Sequence, residues 1–186
     1  ESNSLFGQLE IPVSDTLTAV AGLRFTDNSR SAVYRNAPAL FGQGTGFKDF
    51  STLATAQILN LGNDESKTTW LAGLNYNPND TTLIYGKVST GFKGGGFDSV
   101  GSYDPESNTA VEAGLKKNFG DAGQHYFNAS IFSYDYKDLQ SSVLLDTTVG
   151  GQTFNAGQAT ISGIELETGV RISDTGYLTA SVNYVK

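Results

Sequence analysis

Four charged residues in the second half of the sequence could supply the carboxylates of a general acid–base pair and a nearby ammonium group: Glu112, Lys116, Glu165 and Glu167. Paired carboxylates positioned to donate and abstract protons are a common catalytic arrangement. Each of these residues, however, falls on the polar side of a stretch in which apolar and polar residues alternate. A polar strand face that lines a water-filled lumen tolerates charge, and we favour this interpretation over catalysis.

Two further features could suggest a binding site. The glycine-rich run from Gly91 to Gly96 lacks the Gly-Lys-Ser/Thr ending of a phosphate-binding loop, and no helical pattern follows it, so a hinge between a strand and a loop is the better interpretation. His125 is the only histidine, and there is no cysteine. Neither a zinc or haem site nor a Ser-His-Asp set is supported. We predict no enzyme activity and no catalytic, cofactor-binding or metal-binding residue.

In several stretches of the sequence, side chains of different type alternate between two sides with a period of two. In residues 82–97, one side of the predicted strand carries Ile84, Gly86, Val88, Thr90 and Phe92, and the other carries Leu83, Tyr85, Lys87, Ser89 and Gly91. Alternation with β-branched and aromatic residues predicts a strand. Similar stretches occur at residues 4–11, 17–27, 67–77, 108–119, 124–139, 159–172 and 177–185. In residues 124–139 both sides are apolar, and we predict that Phe127, Ala129 and Ile131 face outward.

Composition favours many strands joined by tight turns, because 22 glycines accompany 9 tyrosines and 11 phenylalanines. A net charge of −7 argues against a nucleic-acid partner. The sequence contains no signal peptide and no apolar run near the ~18 residues that a membrane helix needs. It also contains no methionine, not even at the start, which predicts an excerpt of a longer chain.

The predicted connections alternate between short and long. They are residues 12–16, 28–66, 78–81, 94–107, 120–123, 140–158 and 173–176. Barrels that cross the outer membrane have short turns at one rim and long loops at the other, whereas a soluble meander has no reason to keep its long loops on one side. Within the longest connection, residues 53–61 could hold a short helix or a strand extension.

Aromatic residues are predicted to form two bands near the strand ends. Tyr76, Phe119, Tyr126 and Tyr177 lie beside short turns, and Phe25, Trp70, Phe92, Tyr134 and Tyr136 lie near long connections. Two such bands are typical of strands that end at two membrane–water interfaces.

Several motifs together resemble the barrel of TonB-dependent outer-membrane receptors. The first is YGKVSTGFKGGGF, followed by a Tyr103-Asp104-Pro105-Glu106 turn and the strand VEAGLKKNF. The others are FSYDYKDLQ (132–140), the run Asn155-Ala156-Gly157, SGIELE (162–167) and the N-terminal pair LFGQLEIPVSDTLTAVAGLRF. No single motif is specific to the family, but their order and spacing are, and the resemblance spans most of the chain.

The resemblance implies an all-β fold, a transmembrane antiparallel β-barrel. Residues 1–186 would supply about eight strands of one 22-stranded barrel domain, without its plug. It implies TonB-dependent uptake across the bacterial outer membrane of a scarce ligand such as a ferric siderophore, cobalamin or a glycan. The implied partners are outer-membrane lipid, the TonB complex and a small-molecule ligand such as an iron chelate. Ligand contacts could come only from residues 28–66, 94–107 and 140–158, and no individual ligand-binding residue is predicted.

Three alternatives remain open at this point. The first is a self-contained eight-stranded outer-membrane barrel with a structural or adhesion role, although the small inward residues Gly73, Gly114, Gly163 and Gly169 would underfill its narrow lumen. The second is a soluble ligand-binding barrel with a dry core, which needs large apolar residues inside. The third is an enzyme.

Overall fold

The computed structural model describes residues 1–36, 57–98, 101–121, 123–146 and 150–186. Its strands are β1 (Ser2–Pro12), β2 (Leu17–Asn36), β3 (Gln57–Asn79), β4 (Thr82–Lys93), β5 (Gly96–Phe97), β6 (Ser102–Tyr103), β7 (Glu106–Phe119), β8 (His125–Lys137), β9 (Gln140–Asp146), β10 (Gly150–Asn155), β11 (Gln158–Arg171) and β12 (Tyr177–Val185). Eight of them form one antiparallel sheet in the order β1-β2-β3-β4-β7-β8-β11-β12. The predicted all-β class and the eight strands are therefore confirmed. Within these residues, no helix is long and apolar enough to cross a membrane.

The predicted bounds of the first long connection are wrong. β2 and β3 stay paired without interruption from Leu17 opposite Tyr76 to Asn36 opposite Gln57, so residues 28–36 and 57–66 are strand. Both faces of this outer ladder are largely polar, and no alternation marks it in the sequence. Of the stretch 53–61, residues 57–61 extend the strand and residues 53–56 lie outside the described part of the chain. The other two long connections contain short hairpins, β5 with β6 and β9 with β10.

The register of the sheet separates its apolar and polar residues onto two faces. One row of paired residues joins Ala72 to Val88 and Val88 to Val111, and we call this side the apolar face. The neighbouring row joins Lys87 to Glu112 on the opposite side, the polar face. The prediction for β8 is right, because Phe127, Ala129 and Ile131 pair with apolar-face residues: Lys117 and Thr168, Leu115 and Leu166, and Ala113 and Ile164.

The apolar face has no protein against it. Leu5 is 78% exposed, Ile131 58% and Val182 65%, and among the described residues no apolar side chain is buried. Water does not favour a continuous apolar surface of this kind, which needs an apolar medium such as lipid. A soluble barrel with a dry core does not fit this arrangement, because the apolar side chains point away from the polar face where its cavity would lie.

The position of the apolar residues shifts steadily from strand to strand. In β2 they span residues 17–25, centred on Ala21, and five successive pairings lead from Ala21 across the sheet to Ser162 of β11. In β11 and the residue after it, the apolar residues span 164–172 and are centred on Thr168, six residues further along. Six residues span about 20 Å along a strand, and five strand spacings span about 24 Å, which inclines the apolar band by about 40° to the perpendicular of the strands. Strands of closed barrels tilt by a similar angle.

The register corrects part of the predicted aromatic bands. Tyr76, Phe119, Phe25, Trp70 and Phe92 do lie on the apolar face. The other four residues, Tyr126, Tyr177, Tyr134 and Tyr136, pair with polar-face residues and point to the opposite side of the sheet. Their predicted position rests on distance from a strand end alone, which ignores that neighbouring residues in a strand face opposite ways.

Three aromatic rings on the polar face lie over the glycine directly opposite them on the next strand. Tyr85 pairs with Gly114, Phe132 with Gly163 and Tyr126 with Gly169. A Cβ at Gly114 would lie 2.6 Å from the Tyr85 ring, and one at Gly163 would lie 2.6 Å from the Phe132 ring. Glycine therefore leaves the space that lets each ring lie flat on the sheet, a packing known to stabilise strand glycines.

The separation of the two faces predicts unequal effects of the same substitution at neighbouring positions. Leu166 lies on the apolar face near the centre of the apolar band, and Glu165 lies on the polar face beside it. We expect Leu166→Arg to lower the free energy of unfolding in lipid by about 2–4 kcal/mol, because it places a charge in hydrocarbon. Glu165→Arg should cost much less. The measurement is chemical unfolding of the full-length protein in vesicles, and equal losses would mean that the two faces are assigned wrongly.

The glycine–ring packing predicts a cost for adding a single methyl group. Gly114→Ala should push the Tyr85 ring off the sheet and break its 2.6 Å hydrogen bond to Glu112. We expect a loss of about 1–3 kcal/mol in the free energy of unfolding. Gly86→Ala is the matched control, because Gly86 lies on the apolar face of the paired strand and nothing is within 4 Å of its added Cβ. No difference between the two variants would contradict the packing argument.

Candidate functional site

The three long connections converge at one end of the sheet. Because the strands are antiparallel, the connections β2–β3, β4–β7 and β8–β11 leave from the same end of the sheet, and the short turns leave from the opposite end. Hydrogen bonds between distant residues tie the three together. We call this assembly the rim, and its described residues are 28–36, 57–66, 94–98, 101–107, 140–146 and 150–158. It is the part of the described chain in which loop residues from distant positions meet.

The centre of the rim is the backbone of two consecutive glycines, Gly94 and Gly95, which we call the glycine strap. Arg30 from β2 donates from Nη1 to the Gly95 carbonyl oxygen at 2.7 Å. The Gly95 N–H donates to Glu65 Oε2 from β3 at 3.0 Å. The β2–β3 ladder therefore holds both polar groups of one residue in the β4–β7 connection.

The third connection reaches the strap and its flanking residues. The Gln140 side chain donates from Nε2 to the carbonyl oxygens of Gly94 at 3.0 Å and Asp104 at 3.1 Å, and the Gln140 N–H donates to Glu106 Oε2 at 2.9 Å. Asn155 binds the Asp104 backbone at two points: its Oδ1 accepts from the N–H at 2.8 Å, and its Nδ2 donates to the carbonyl at 2.9 Å. Side chains from two connections thus converge on the backbone of the one between them.

Below the rim, the polar face forms an open wall of charged and hydroxyl groups. Glu112 accepts a hydrogen bond from the Tyr85 hydroxyl at 2.6 Å and lies 3.0 Å from Lys87 Nζ. The Lys116 ammonium lies 5.9 Å from the centre of the Tyr85 ring, within the range of a cation–π contact. The carboxylate of Glu112 is therefore fixed by groups from the neighbouring strand.

Glu167 is held in a similar way on β11. It accepts hydrogen bonds from the Tyr126 hydroxyl at 2.8 Å and from Asn128 Nδ2 at 3.3 Å. Glu112, Lys116, Glu165 and Glu167 line one cavity of about 390 Å³ on this face. The prediction that these four residues share a polar strand face is right. The geometry is that of an open hydrogen-bonding wall, in which tyrosine hydroxyls and an asparagine amide donate to the carboxylates.

His125 lies beside a short turn, as the sequence predicted. Its Nδ1 accepts a hydrogen bond from the Arg171 N–H at 3.0 Å, and its ring centre lies 5.2 Å from that of Phe119. Among the described residues, no three histidine, aspartate or glutamate side chains are grouped so that they could hold a metal ion.

Sequence reasoning missed the residues that hold the rim together. It predicts Arg30, Glu65 and Gln140 only as parts of long connections, because their partners are backbone atoms 30 to 65 positions away. The glycine run was the one usable signal. Its sequence favours a hinge, and the structure shows that Gly95 is also buried.

Comparison with known proteins gives a consistent result. A family model described as "TonB dependent receptor-like, beta-barrel" matches residues 1–186. The ferric yersiniabactin uptake receptor FyuA of Yersinia pestis superposes with a TM-score of 0.78 at 18% identity, over 99% of this chain and 26% of the receptor. No curated protein matches the sequence.

Two further solved structures are similar. The siderophore receptor PiuA of Acinetobacter baumannii has a TM-score of 0.72 at 21% identity, over 100% of this chain and 25% of the receptor. The copper transporter OprC has a TM-score of 0.73 at 18% identity, over 99% of this chain and 29% of the transporter. The chain therefore spans about a quarter of the length of these proteins, and at these identities the likeness shows the fold alone. Because the family model matches the whole sequence and the sheet has the same fold, the chain belongs to the β-barrel family of TonB-dependent receptors.

Proposed function

We propose that this chain is part of an outer-membrane receptor that takes up a scarce ligand, such as a ferric siderophore, with energy from the TonB complex. The observation that carries the proposal is the rim: three long connections converge at one end of a sheet that is apolar on one face and polar on the other. A membrane barrel that collects a ligand needs this combination of a lipid-facing outside, a wet inside and an elaborate outer mouth.

The apolar face supports a position in the outer membrane. Its exposed leucine, isoleucine and valine side chains would meet lipid, and the hydrogen bonds of the sheet satisfy the backbone groups that lipid cannot. Phe25 and Trp70 at one border and Tyr76 and Phe119 at the other lie where aromatic girdles form.

The polar face supports a wet lumen rather than a dry core. Glu112, Glu165, Glu167 and Lys116 line one cavity on this side, where water or a polar protein segment keeps them solvated. In this proposal the TonB complex acts through segments of the receptor other than the strands described here. The strands supply the wall past which the ligand moves.

Iron chelates are the ligand class that we propose first. FyuA is described as a ferric yersiniabactin uptake receptor and PiuA as a siderophore receptor, whereas OprC is described as a copper transporter. These descriptions support a metal-containing small molecule, and cobalamin or a glycan remain within the proposal. The ligand would be caught at the rim, by residues 28–66, 94–107 and 140–158.

A self-contained eight-stranded barrel with a structural or adhesion role is the alternative function. It requires β1 to pair with β12, and these strands are the two edges of the sheet. In lipid, unpaired backbone groups on an edge strand each cost several kcal/mol. Pairing both edges with further strands of a larger barrel satisfies them without narrowing the lumen, so the open sheet favours the receptor.

Uptake is the direct test of the proposal. We expect a strain that lacks the full-length receptor to lose energy-dependent accumulation of one radiolabelled iron chelate from a panel of hydroxamate, catecholate and carboxylate types. A protonophore should stop accumulation in the parent strain while leaving binding at the cell surface, because transport needs energy and capture does not. Complementation with the Gly86→Ala receptor is the positive control. Unchanged uptake of iron chelates, cobalamin and glycans in the deletion strain would favour the structural barrel.

The position of the rim predicts which connections face the outside of the cell. In the full-length protein on intact cells, an epitope tag inserted at Gly44, between β2 and β3, should bind antibody. A tag at Asn79, the last residue of β3 beside the short turn to β4, should bind antibody only after the outer membrane is opened, because short turns lie at the periplasmic rim. Labelling at Asn79 alone on intact cells would reverse the proposed orientation.

A further inference from the structure

The backbone of the glycine strap, in the β4–β7 connection, is bound by the β2–β3 ladder and by the β8–β11 connection. On one side, Arg30 and Glu65 bind the carbonyl and the N–H of Gly95, at 2.7 and 3.0 Å. The other oxygen of Glu65 accepts a hydrogen bond from Asn28 Nδ2 at 3.1 Å, which fixes the carboxylate on the β2–β3 ladder. Hydrogen bonds in which one partner is charged are stronger than neutral ones, so Arg30 and Glu65 bind the Gly95 backbone more strongly than neutral side chains would.

The space around Gly95 is closed as well as polar. A Cβ on Gly95 would lie 2.6 Å from the Tyr103 carbonyl oxygen and 3.0 Å from both Asn63 Nδ2 and the Pro105 backbone nitrogen. Gly95 thus passes between the wall of β3 and the backbone beside β6. Any displacement of the β2–β3 ladder relative to β6 must move the strap, because the strap backbone fills the space between them.

The adjacent glycine is held from the opposite side. Gln140, the first residue of β9, donates to the Gly94 carbonyl at 3.0 Å, and its own N–H donates to Glu106 at 2.9 Å. Two neighbouring peptide units of the strap are therefore anchored by residues from the first and the third connection. A movement of either connection pulls on the same short stretch of backbone.

We propose that the glycine strap couples the outer part of the β2–β3 ladder to the β4–β7 and β8–β11 connections, with Arg30, Glu65 and Gln140 as the positioning residues, so that these three segments loosen and tighten together. This inference rests on the proposed function, in which binding of the ligand by one segment of the rim changes the mobility of the other segments. Coupling of this kind requires that a change at one anchor alters the freedom of a segment it does not touch.

Hydrogen exchange measured by mass spectrometry on the full-length receptor in lipid nanodiscs, without ligand, tests the coupling. Arg30→Ala and Glu65→Ala should each accelerate exchange in β9 and β10, which Arg30 and Glu65 do not contact in the described hydrogen bonds. Loss of one net hydrogen bond corresponds to roughly a five- to tenfold increase in the opening equilibrium. Acceleration confined to the strap and to the ends of β2 and β3 would overturn the proposal.

Two matched variants separate coupling from general damage. Arg24→Ala removes an arginine from the same strand and the same face, but Arg24 donates to Thr26 and Ser4 and does not touch the strap. It should leave exchange in β9 and β10 unchanged. Arg30→Lys keeps a charged donor for the Gly95 carbonyl and should keep exchange in β9 and β10 slow. If Arg24→Ala accelerates β9 and β10 as strongly as Arg30→Ala does, the effect is not specific to the strap and the proposal is wrong.

A double-mutant cycle connects the strap to ligand capture. With the iron chelate whose uptake depends on the receptor, Arg30→Ala and Gln140→Ala should each raise the half-saturation concentration, and the double variant should raise it by less than the product of the two factors. Independent anchors would give the full product and contradict coupling. If no chelate is taken up while exchange shows the coupled response, the proposed function fails and the coupling by the strap stands. If a chelate is taken up while exchange shows no coupled response, the proposed function stands and the coupling fails.

Discussion

The constraint on which the whole structure depends is that lipid offers no hydrogen-bond partner to a peptide group. A strand that crosses hydrocarbon must therefore be paired on both sides. Six strands of the sheet pair with two neighbours each, and β1 and β12 pair with one. The β3–β4 ladder is continuous from Leu71 to Tyr76, and beyond it the Trp70 N–H donates to Thr90 Oγ1 at 3.0 Å. Among the described residues, proline, which has no N–H to donate, lies at strand ends: Pro12 closes β1, Pro78 is next to last in β3 and Pro105 precedes β7. The connections are freed from this constraint because they meet water.

The part of the fold that lies in this band was predictable from the sequence. A strand in lipid with a wet inner face must alternate, and Leu17 to Phe25 or Ile84 to Phe92 show that alternation plainly enough to give the register. Even Phe127, in a strand that is apolar on both sides, was assigned correctly, because its neighbours Asn128 and Ser130 suit the polar face.

Beyond the band the same reasoning lost its basis. Residues 28–36 and 57–66 continue the ladder, but most of them are polar and their sequence shows no alternation that would select one side. The rim was harder still: Arg30, Glu65 and Gln140 recognise main-chain atoms, which look alike at every position of a sequence. Tyr126, Tyr134, Tyr136 and Tyr177 were misplaced for a simpler reason, since closeness to a strand end does not tell which way a side chain points. On the polar face, glycine and tyrosine form a common device, in which the glycine makes room and the tyrosine hydroxyl reaches a carboxylate.

In the proposed orientation, the extended β2–β3 ladder determines how far the receptor reaches beyond the outer membrane. From Phe25, at the border of the apolar band, to Asn36 the paired strands continue for 11 residues, or about 36 Å. At an inclination of about 40°, this lifts the last pair roughly 28 Å above the hydrocarbon. The outward side of the ladder carries Asp27, Ser29, Ser31, Asp64 and Ser66, so it is largely hydrophilic. In the proposed orientation, a hydrophilic two-stranded ladder of this height extends past the lipid head groups, so antibodies are expected to reach it on the living bacterium.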